Sequence, residues 1–203
     1  MDRQNIIWGW ELMKRIKITD RDKEIVEFLR ANKCADTETL SNIFFNSSLR
    51  ACQNRLKKLV DNGNIKAFRE NILTQNIYYV RRKPISYKHA LKVTHFIAEL
   101  HKLNIEIIKY RVPYKLSNII ADALFIIKIN NQAIPIFLEV ELTKFFDLEK
   151  YQRLYYSRVW KEVFPMFPKI IVITDKKVKT DKKLEIIKID TAFSNMEEFV
   201  FTL

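Results

Sequence analysis

Residues 47–63 restrict the fold of this chain more than any other segment. Apolar side chains recur there at the three- and four-residue spacing of an amphipathic helix, at Leu49, Cys52, Leu56, Leu59 and Val60. Gly63 follows, and glycine is the usual residue just beyond the C-terminus of a helix. No acidic residue occurs between Ser47 and Val60, although a solvated helix normally includes glutamates that pair with lysines one turn away. We therefore expect a helix with one core face and one face that is only basic or polar.

Signals for two more helices and a β-hairpin surround this segment. Thr19 and Asp22 have the spacing of a capping box, and Asp36 is placed to cap a second short helix. A β-rich run that ends at Val80 contains a polar tip, which predicts a two-stranded wing. Three short helices followed by a hairpin indicate a winged helix-turn-helix domain over residues 1–83.

The outer face of the third predicted helix carries side chains that recognise DNA. It comprises Ser48, Arg50, Gln53, Asn54, Arg55, Lys57 and Lys58. Arginine hydrogen-bonds guanine edges, asparagine and glutamine hydrogen-bond adenine, and lysine meets phosphates, as expected of a helix in the major groove. In the hairpin, Lys66 and Arg69 are expected to contact the DNA backbone beside that groove. The alternative is an ordinary solvated helix, with a hairpin whose charges only keep it soluble.

Pro84 marks the start of a second region, residues 84–203. Residues 86–103 have the periodicity of a long helix, and residues 145–164 predict another. The strand-like runs are 105–111, 118–129, 132–142, 169–174 and 184–189. An order of helix, three strands, helix and two strands is typical of an α/β or α+β domain with a mixed sheet.

Three carboxylates are predicted to face one another on a hairpin of this sheet. Asn130 and Asn131 form a two-residue turn, so residues whose numbers add to 261 lie opposite each other. Asp122 is then opposite Glu139, and Glu141 lies two residues further on the same face. Like charges at this distance repel, and burial adds to the cost. A Mg²⁺ or Mn²⁺ ion held by Asp122 and Glu139 would relieve the repulsion, hold a scissile phosphate and activate a water molecule.

The alternative for this hairpin is a partly exposed face on which the carboxylates pair with lysines. Lys128 shares the face of Asp122, and Lys144 and Lys150 are close in sequence. Gln152 and Tyr156, one helical turn apart, are candidates for flanking a phosphate path, but they more simply belong to a helix that covers the sheet.

Composition narrows the classes of partner. A net charge of +12 indicates that the partner of the protein is a polyanion. No apolar run approaches the roughly 18 residues that span a bilayer, and the N-terminus makes a poor signal peptide, so we expect a cytoplasmic protein without a membrane partner. The two cysteines and three histidines lack zinc-site spacing, and a structural role is expected for each histidine. Two glycines in the whole chain exclude glycine-rich phosphate loops.

A family resemblance is carried by four parts of the chain, ITDRDKEIVEFLRANKCADTETLSNIFF, CQNRLKKLVDNGNI, YYVRRK, and ADALFII with IFLEVELTKFFDLEKYQRLYY. In this order they resemble the replication-relaxation family of plasmids and other mobile elements, over roughly residues 18–175. The resemblance implies a winged helix fused to a restriction-endonuclease-like core, similar to the PD-(D/E)xK nucleases. It also implies DNA binding in plasmid replication, relaxation or mobilisation.

By position in this resemblance, Asp122 corresponds to the first acid of the nuclease motif and Glu139 to the second. The lysine expected two residues further on, which would stabilise charge in the reaction, is Glu141 here. Lys144 or Lys128 would have to substitute from a shifted position. Without a substitute, the fold would be kept with no cleavage activity.

Three functions are therefore open from the sequence. The first is a non-catalytic, sequence-selective binder of duplex DNA that acts with other replication or mobilisation proteins. The second is a metal-dependent endonuclease or nickase that uses Asp122, Glu139, Glu141 and Lys144. The third is a winged-helix transcription regulator that forms a homodimer through its C-terminal domain.

Overall fold

The computed structural model describes residues 16–201 of the protein. Within this range the fold is mixed α+β, with six α-helices and a five-stranded mixed sheet. The inference about a signal peptide concerns residues 1–15 and lies outside the described residues. None of the helices in the described range combines the length and the apolar character that crossing a membrane would require.

The N-terminal elements are α1 (Asp20–Asn32), β1 (Ala35–Asp36), α2 (Thr37–Phe44), α3 (Leu49–Asp61), β2 (Lys66–Phe68) and β3 (Ile77–Tyr79). The predicted capping box of Thr19 and Asp22 is confirmed, and the Asp36 side chain accepts a hydrogen bond from the Thr39 amide at 2.9 Å. The three strands form an antiparallel sheet in the order β1-β3-β2. The sequence did not predict β1, because two residues are too few to show an alternating pattern.

The predicted core face of α3 is confirmed in its centre and wrong at its start. Cys52, Leu56 and Leu59 are fully buried. Leu49 is 48% exposed, because it lies in the first turn of α3 and borders an open groove towards the hairpin. Ser48 occupies the N-cap position of α3, but its side chain makes no capping hydrogen bond.

The second half begins with α4 (Tyr87–Lys102). Three antiparallel strands of the large sheet follow, β4 (Glu106–Arg111), β7 (Ala123–Ile129) and β8 (Gln132–Val140), with the short pair β5 (Tyr114–Leu116) and β6 (Ile119–Ala121) between β4 and β7. The chain continues through α5 (Leu148–Ser157), a 3-10 helix (Val159–Glu162), β9 (Lys169–Ile173), β10 (Ile186–Ile189) and α6 (Met196–Phe201). The strand order is β10-β9-β8-β7-β4, with β8, β9 and β10 parallel.

The predicted hairpin register is confirmed. Asn130 and Asn131 have φ angles of 51° and 62° and close the turn, and Ala123 pairs with Leu138 at the far end of the ladder. The strand expected over 118–129 is interrupted at Asp122, whose carboxylate accepts a hydrogen bond from the Val140 amide at 2.8 Å.

Helices cover both faces of the large sheet. Val93, Phe96 and Leu100 of α4 pack on one face together with α6, and Tyr151 and Leu154 of α5 pack on the other. The N-terminal helices rest on α4, where His95 Nε2 lies 2.7 Å from Asp36 Oδ2. The structural role predicted for His95 is therefore confirmed.

Candidate functional site

The outer face of α3 is exposed and has no partners within the described part of the chain. Its exposed side chains are Ser48, Arg50, Gln53, Asn54, Lys57 and Lys58. Residues 16–201 provide none of them with a side-chain hydrogen bond or an ion pair. Arg50, Asn54 and Lys57 are spaced by four and three residues, so they follow one line along the helix. This face can therefore offer its donors and positive charges to an external ligand.

A groove of about 600 Å³ separates α3 from the β2–β3 hairpin. Gln53, Asn54 and Lys57 line its helix side, and Arg69 and Leu73 line its hairpin side. Arg69 Nε donates to Asn76 Oδ1 at 2.6 Å, which holds the arginine beside the groove. The predicted hairpin contact Lys66 is also exposed, and its Nζ donates to the Arg81 carbonyl at 3.4 Å.

Arg55 departs from the predicted set of DNA contacts. Its Nε donates to Asp22 Oδ1 at 2.8 Å, and its guanidinium also donates to Asp22 Oδ2 and to the Lys17 carbonyl. The reason is helical phase, because position 55 precedes the buried Leu56 and faces α1 rather than the groove. The structure thus corrects this prediction and places Arg55 in the support of α3.

The second candidate site lies where β8 leaves the sheet. Glu139 is 6% exposed, and its Oε1 accepts hydrogen bonds from Lys150 Nζ, at 2.6 Å, and from the Tyr151 hydroxyl. Burial raises the pKa of Glu139 to about 7, against the lowering effects of Lys150 and Tyr151. Burial and the charge of Glu139 raise the pKa of Tyr151 well above its usual value, so its hydroxyl remains a donor.

Asp122 and Glu141 complete this carboxylate cluster. Asp122 Oδ2 lies 3.8 Å from His89 Nδ1. Burial, followed by the charge of Asp122, raises the pKa of Glu141. The charges of His89, Lys150 and Lys144 act in the opposite direction. Asp122 is therefore close enough to raise the pKa of both Glu139 and Glu141, in agreement with the hairpin register.

Lys150 is the lysine that pairs with the cluster. The sequence predicts ion pairing with Lys128, Lys144 or Lys150 as the alternative to a metal ion, and the pair of Lys150 with Glu139 confirms it for Lys150. The sequence also offers Lys128 and Lys144 as substitutes for the missing motif lysine. Lys128 instead lies 3.3 Å from Glu106 at the other end of β7, so that assignment is wrong. Lys144 is exposed and affects the cluster only through its charge. The available signal for Lys150 was its place in the first turn of α5, beside the aromatic Tyr151 that faces the sheet.

Gln152 and Tyr156 lie away from the carboxylates. Gln152 Nε2 donates to Asp181 Oδ2 at 2.6 Å, and Lys183 Nζ donates to the Tyr156 hydroxyl at 2.9 Å. Both contacts tie α5 to the loop between β9 and β10. These contacts support the interpretation that Gln152 and Tyr156 belong to a helix that covers the sheet, rather than flanking a phosphate path.

Few side chains of the carboxylate cluster are placed to bind a metal ion. Residues 16–201 contain no group of three or more histidine, cysteine, aspartate or glutamate side chains placed to hold a metal. Lys150 Nζ lies 2.6 Å from Glu139 Oε1, so a lysine already relieves part of the repulsion that led us to expect Mg²⁺ or Mn²⁺. An ion supplied with a substrate would have Asp122 and Glu139 as its carboxylate ligands, with Lys150 as a neighbouring charge.

Comparison of this chain with protein-family models, with curated proteins and with solved structures gives no match in any of the three.

Proposed function

We propose that the N-terminal elements form a winged helix-turn-helix module that binds duplex DNA with α3 in the major groove. The observation that carries the proposal is the outer face of α3, where basic and amide side chains are exposed and unpartnered within the described residues, with no acid before Asp61 at the end of the helix. The order α1-β1-α2-α3-β2-β3 supports it, because the hairpin stands beside α3 as a wing stands beside a recognition helix. We further propose that the protein belongs to the replication or mobilisation apparatus of a plasmid or mobile element.

The roles of the side chains on α3 follow from their chemistry. Arg50 and Asn54 offer the donors and acceptors that distinguish guanine and adenine edges. Lys57 and Arg69, on the two sides of the groove, offer charges for phosphates of either sequence. Loss of a base contact should reduce discrimination, whereas loss of a phosphate contact should weaken all duplexes alike.

The test begins with selection of duplexes from a random-sequence library by the full chain, followed by gel-shift titration of a selected and a scrambled duplex. Arg50→Ala and Asn54→Ala should each lower the preference for the selected duplex by about 1–3 kcal/mol. Lys57→Ala should weaken both duplexes and reduce the salt slope by about one. Lys161→Ala is the matched control, because Lys161 is an exposed lysine in the 3-10 helix that follows α5. Equal affinity of the unchanged protein for both duplexes at physiological salt would contradict sequence selectivity.

A second candidate function is DNA cleavage at the carboxylate cluster. The observation that favours it is the convergence of Asp122, Glu139 and Lys150, since Lys150 supplies the positive charge that position 141 lacks. Supercoiled plasmid incubated with the full chain and Mg²⁺ or Mn²⁺ should then be nicked, and Asp122→Ala and Lys150→Ala should abolish nicking. Nicking that persists in both variants would identify a contaminant.

A further inference from the structure

The tip of the β2–β3 hairpin presents two large aliphatic side chains to solvent. Ile72 is 90% exposed and Leu73 is 96% exposed. Exposed turns normally carry small or polar residues, which cost nothing in water. Two adjacent aliphatic residues at the end of a hairpin therefore suggest that the tip is covered when the protein acts.

Hydrogen bonds hold this tip in a defined shape. Asn71 Oδ1 accepts from the Leu73 amide at 2.9 Å and from the Thr74 amide at 3.1 Å. The Thr74 hydroxyl donates to the Asn71 carbonyl at 3.0 Å and accepts from the Asn71 amide at 3.2 Å. Ile72 and Leu73 thus stand between two residues that fasten the turn, so little conformational entropy is lost when they enter a ligand.

The surroundings of the tip indicate what covers it. Leu73 borders the same groove as Asn54 and Lys57 of α3 and Arg69 of the hairpin. The acid closest to the tip in sequence, Glu70, is engaged by the Tyr87 hydroxyl and lies 3.4 Å from Lys88 Nζ. Asp61 also lines this groove, but Lys57 and Arg69 outnumber it. A ligand with negative charge outside and apolar faces inside therefore suits this edge. Duplex DNA has this combination, with phosphates on its surface and base-pair faces in its stack.

We propose that Ile72 and Leu73 enter the minor groove beside α3 and wedge between two base pairs, so that the protein kinks the DNA it binds. This inference rests on the proposed function, because the α3 face brings the tip to the duplex. Aliphatic wedges of this kind unstack one base step and bend the duplex by about 20–90°.

Ring closure of linear DNA by ligase tests the wedge. A duplex of about 120 base pairs is shorter than the persistence length of about 150 base pairs, so it closes slowly unless it is bent. The full chain should raise the closure rate by about tenfold or more. The variants are the double change Ile72→Ser with Leu73→Ser, the double change Ile72→Lys with Leu73→Lys, and Ile85→Ser as the control, since Ile85 is 99% exposed outside the hairpin.

The serine pair should still bind linear duplex in gel shifts but should lose the acceleration of ring closure. The lysine pair should bind linear duplex at least as tightly, through phosphates, and should also fail to bend it. The Ile85 variant should behave like the unchanged protein. A protein that binds linear duplex without promoting ring closure, or a serine pair that still promotes it, overturns the wedge alone. A protein that fails to bind linear duplex at all overturns the proposed function and the wedge together.

Discussion

Replacing Asp22 by asparagine removes the carboxylate that joins α1 to α3. Asp22 is fully buried, and its carboxylate accepts hydrogen bonds from the Thr19 amide at 2.7 Å and from Arg55 Nε at 2.8 Å. Burial alone would raise the pKa of this carboxyl group. The hydrogen bonds from Arg55 and Thr19 outweigh burial and lower the pKa from 3.8 to about 2.

The pKa shift sets the size of the expected effect. Each pKa unit corresponds to about 1.4 kcal/mol, so the ionised carboxylate contributes roughly 2–3 kcal/mol to the free energy of unfolding at neutral pH. Removal of one partner of a buried ion pair costs a similar or larger amount, about 3–5 kcal/mol. Asp22→Asn should therefore lower the free energy of unfolding by about 3 kcal/mol at pH 7.

The pH dependence of this loss has a definite sign. The pKa of Asp22 is lower in the folded protein than in the unfolded chain, so its contribution is complete above about pH 4 and disappears as the pH falls towards about 2. The difference between the variant and the unchanged protein should shrink over the same range.

Urea unfolding followed by circular dichroism at several pH values measures the difference between the two proteins. Asp20→Asn is the matched control, because Asp20 lies in the same turn of α1 but is exposed and pairs only with Lys23 among the described residues. That variant should leave the unfolding midpoint nearly unchanged. A loss of less than about 1 kcal/mol for Asp22→Asn at pH 7, or a loss that does not change with pH, would refute the reasoning.

Three further outcomes are expected. Arg55→Gln should destabilise the protein about as much as Asp22→Asn in urea unfolding, while the folded variant should keep its DNA affinity within about threefold in gel shifts; a loss of discrimination like that of Arg50→Ala would contradict the structural role. Lys150→Met should raise the pKa of Glu139 above about 7, by roughly one unit, in a carboxyl ¹³C NMR titration, and an unchanged pKa would show that Lys150 does not contact Glu139. Leu56→Ala should cost about 2–5 kcal/mol in urea unfolding and Leu49→Ala less than about 0.5 kcal/mol; equal costs would contradict their different burial.

The features that sequence predicted well are those set by residues close together in the chain. The capping box needs only Thr19 and Asp22, three positions apart, and the β7–β8 register needs only the asparagine pair that closes the turn. The capping box and the hairpin turn are both determined by neighbouring residues, so distant residues had little influence on them. The buried centre of the α3 face was predictable for the same reason, since helical periodicity determines which side chains share a face.

The features that sequence missed depend on contacts between distant parts of the chain. Arg55 has the same charge as Arg50, and its commitment to α1 follows only from where Asp22 stands in the folded protein. The sequence offered Lys128, Lys144 and Lys150 alike for ion pairing, and Lys150 is the one that reaches Glu139 because α5 lies across the sheet with Tyr151 inward. A pattern within one segment cannot distinguish a basic residue that serves a ligand from one that serves a buried carboxylate.

Packing between the two halves relates the candidate sites to each other. Asp36 caps α2 and also lies against His95 of α4, and the Asn32 side chain donates to the Tyr110 hydroxyl of β4 at 2.9 Å. Pro84 therefore separates the two halves in sequence, but side-chain contacts join them in the folded protein. Lys33 at the end of α1 and Asp122 of the carboxylate cluster also line the same small pocket. In the proposed function, DNA held by α3 would consequently have a set orientation relative to the carboxylate cluster, which is the arrangement that cleavage at that cluster would require.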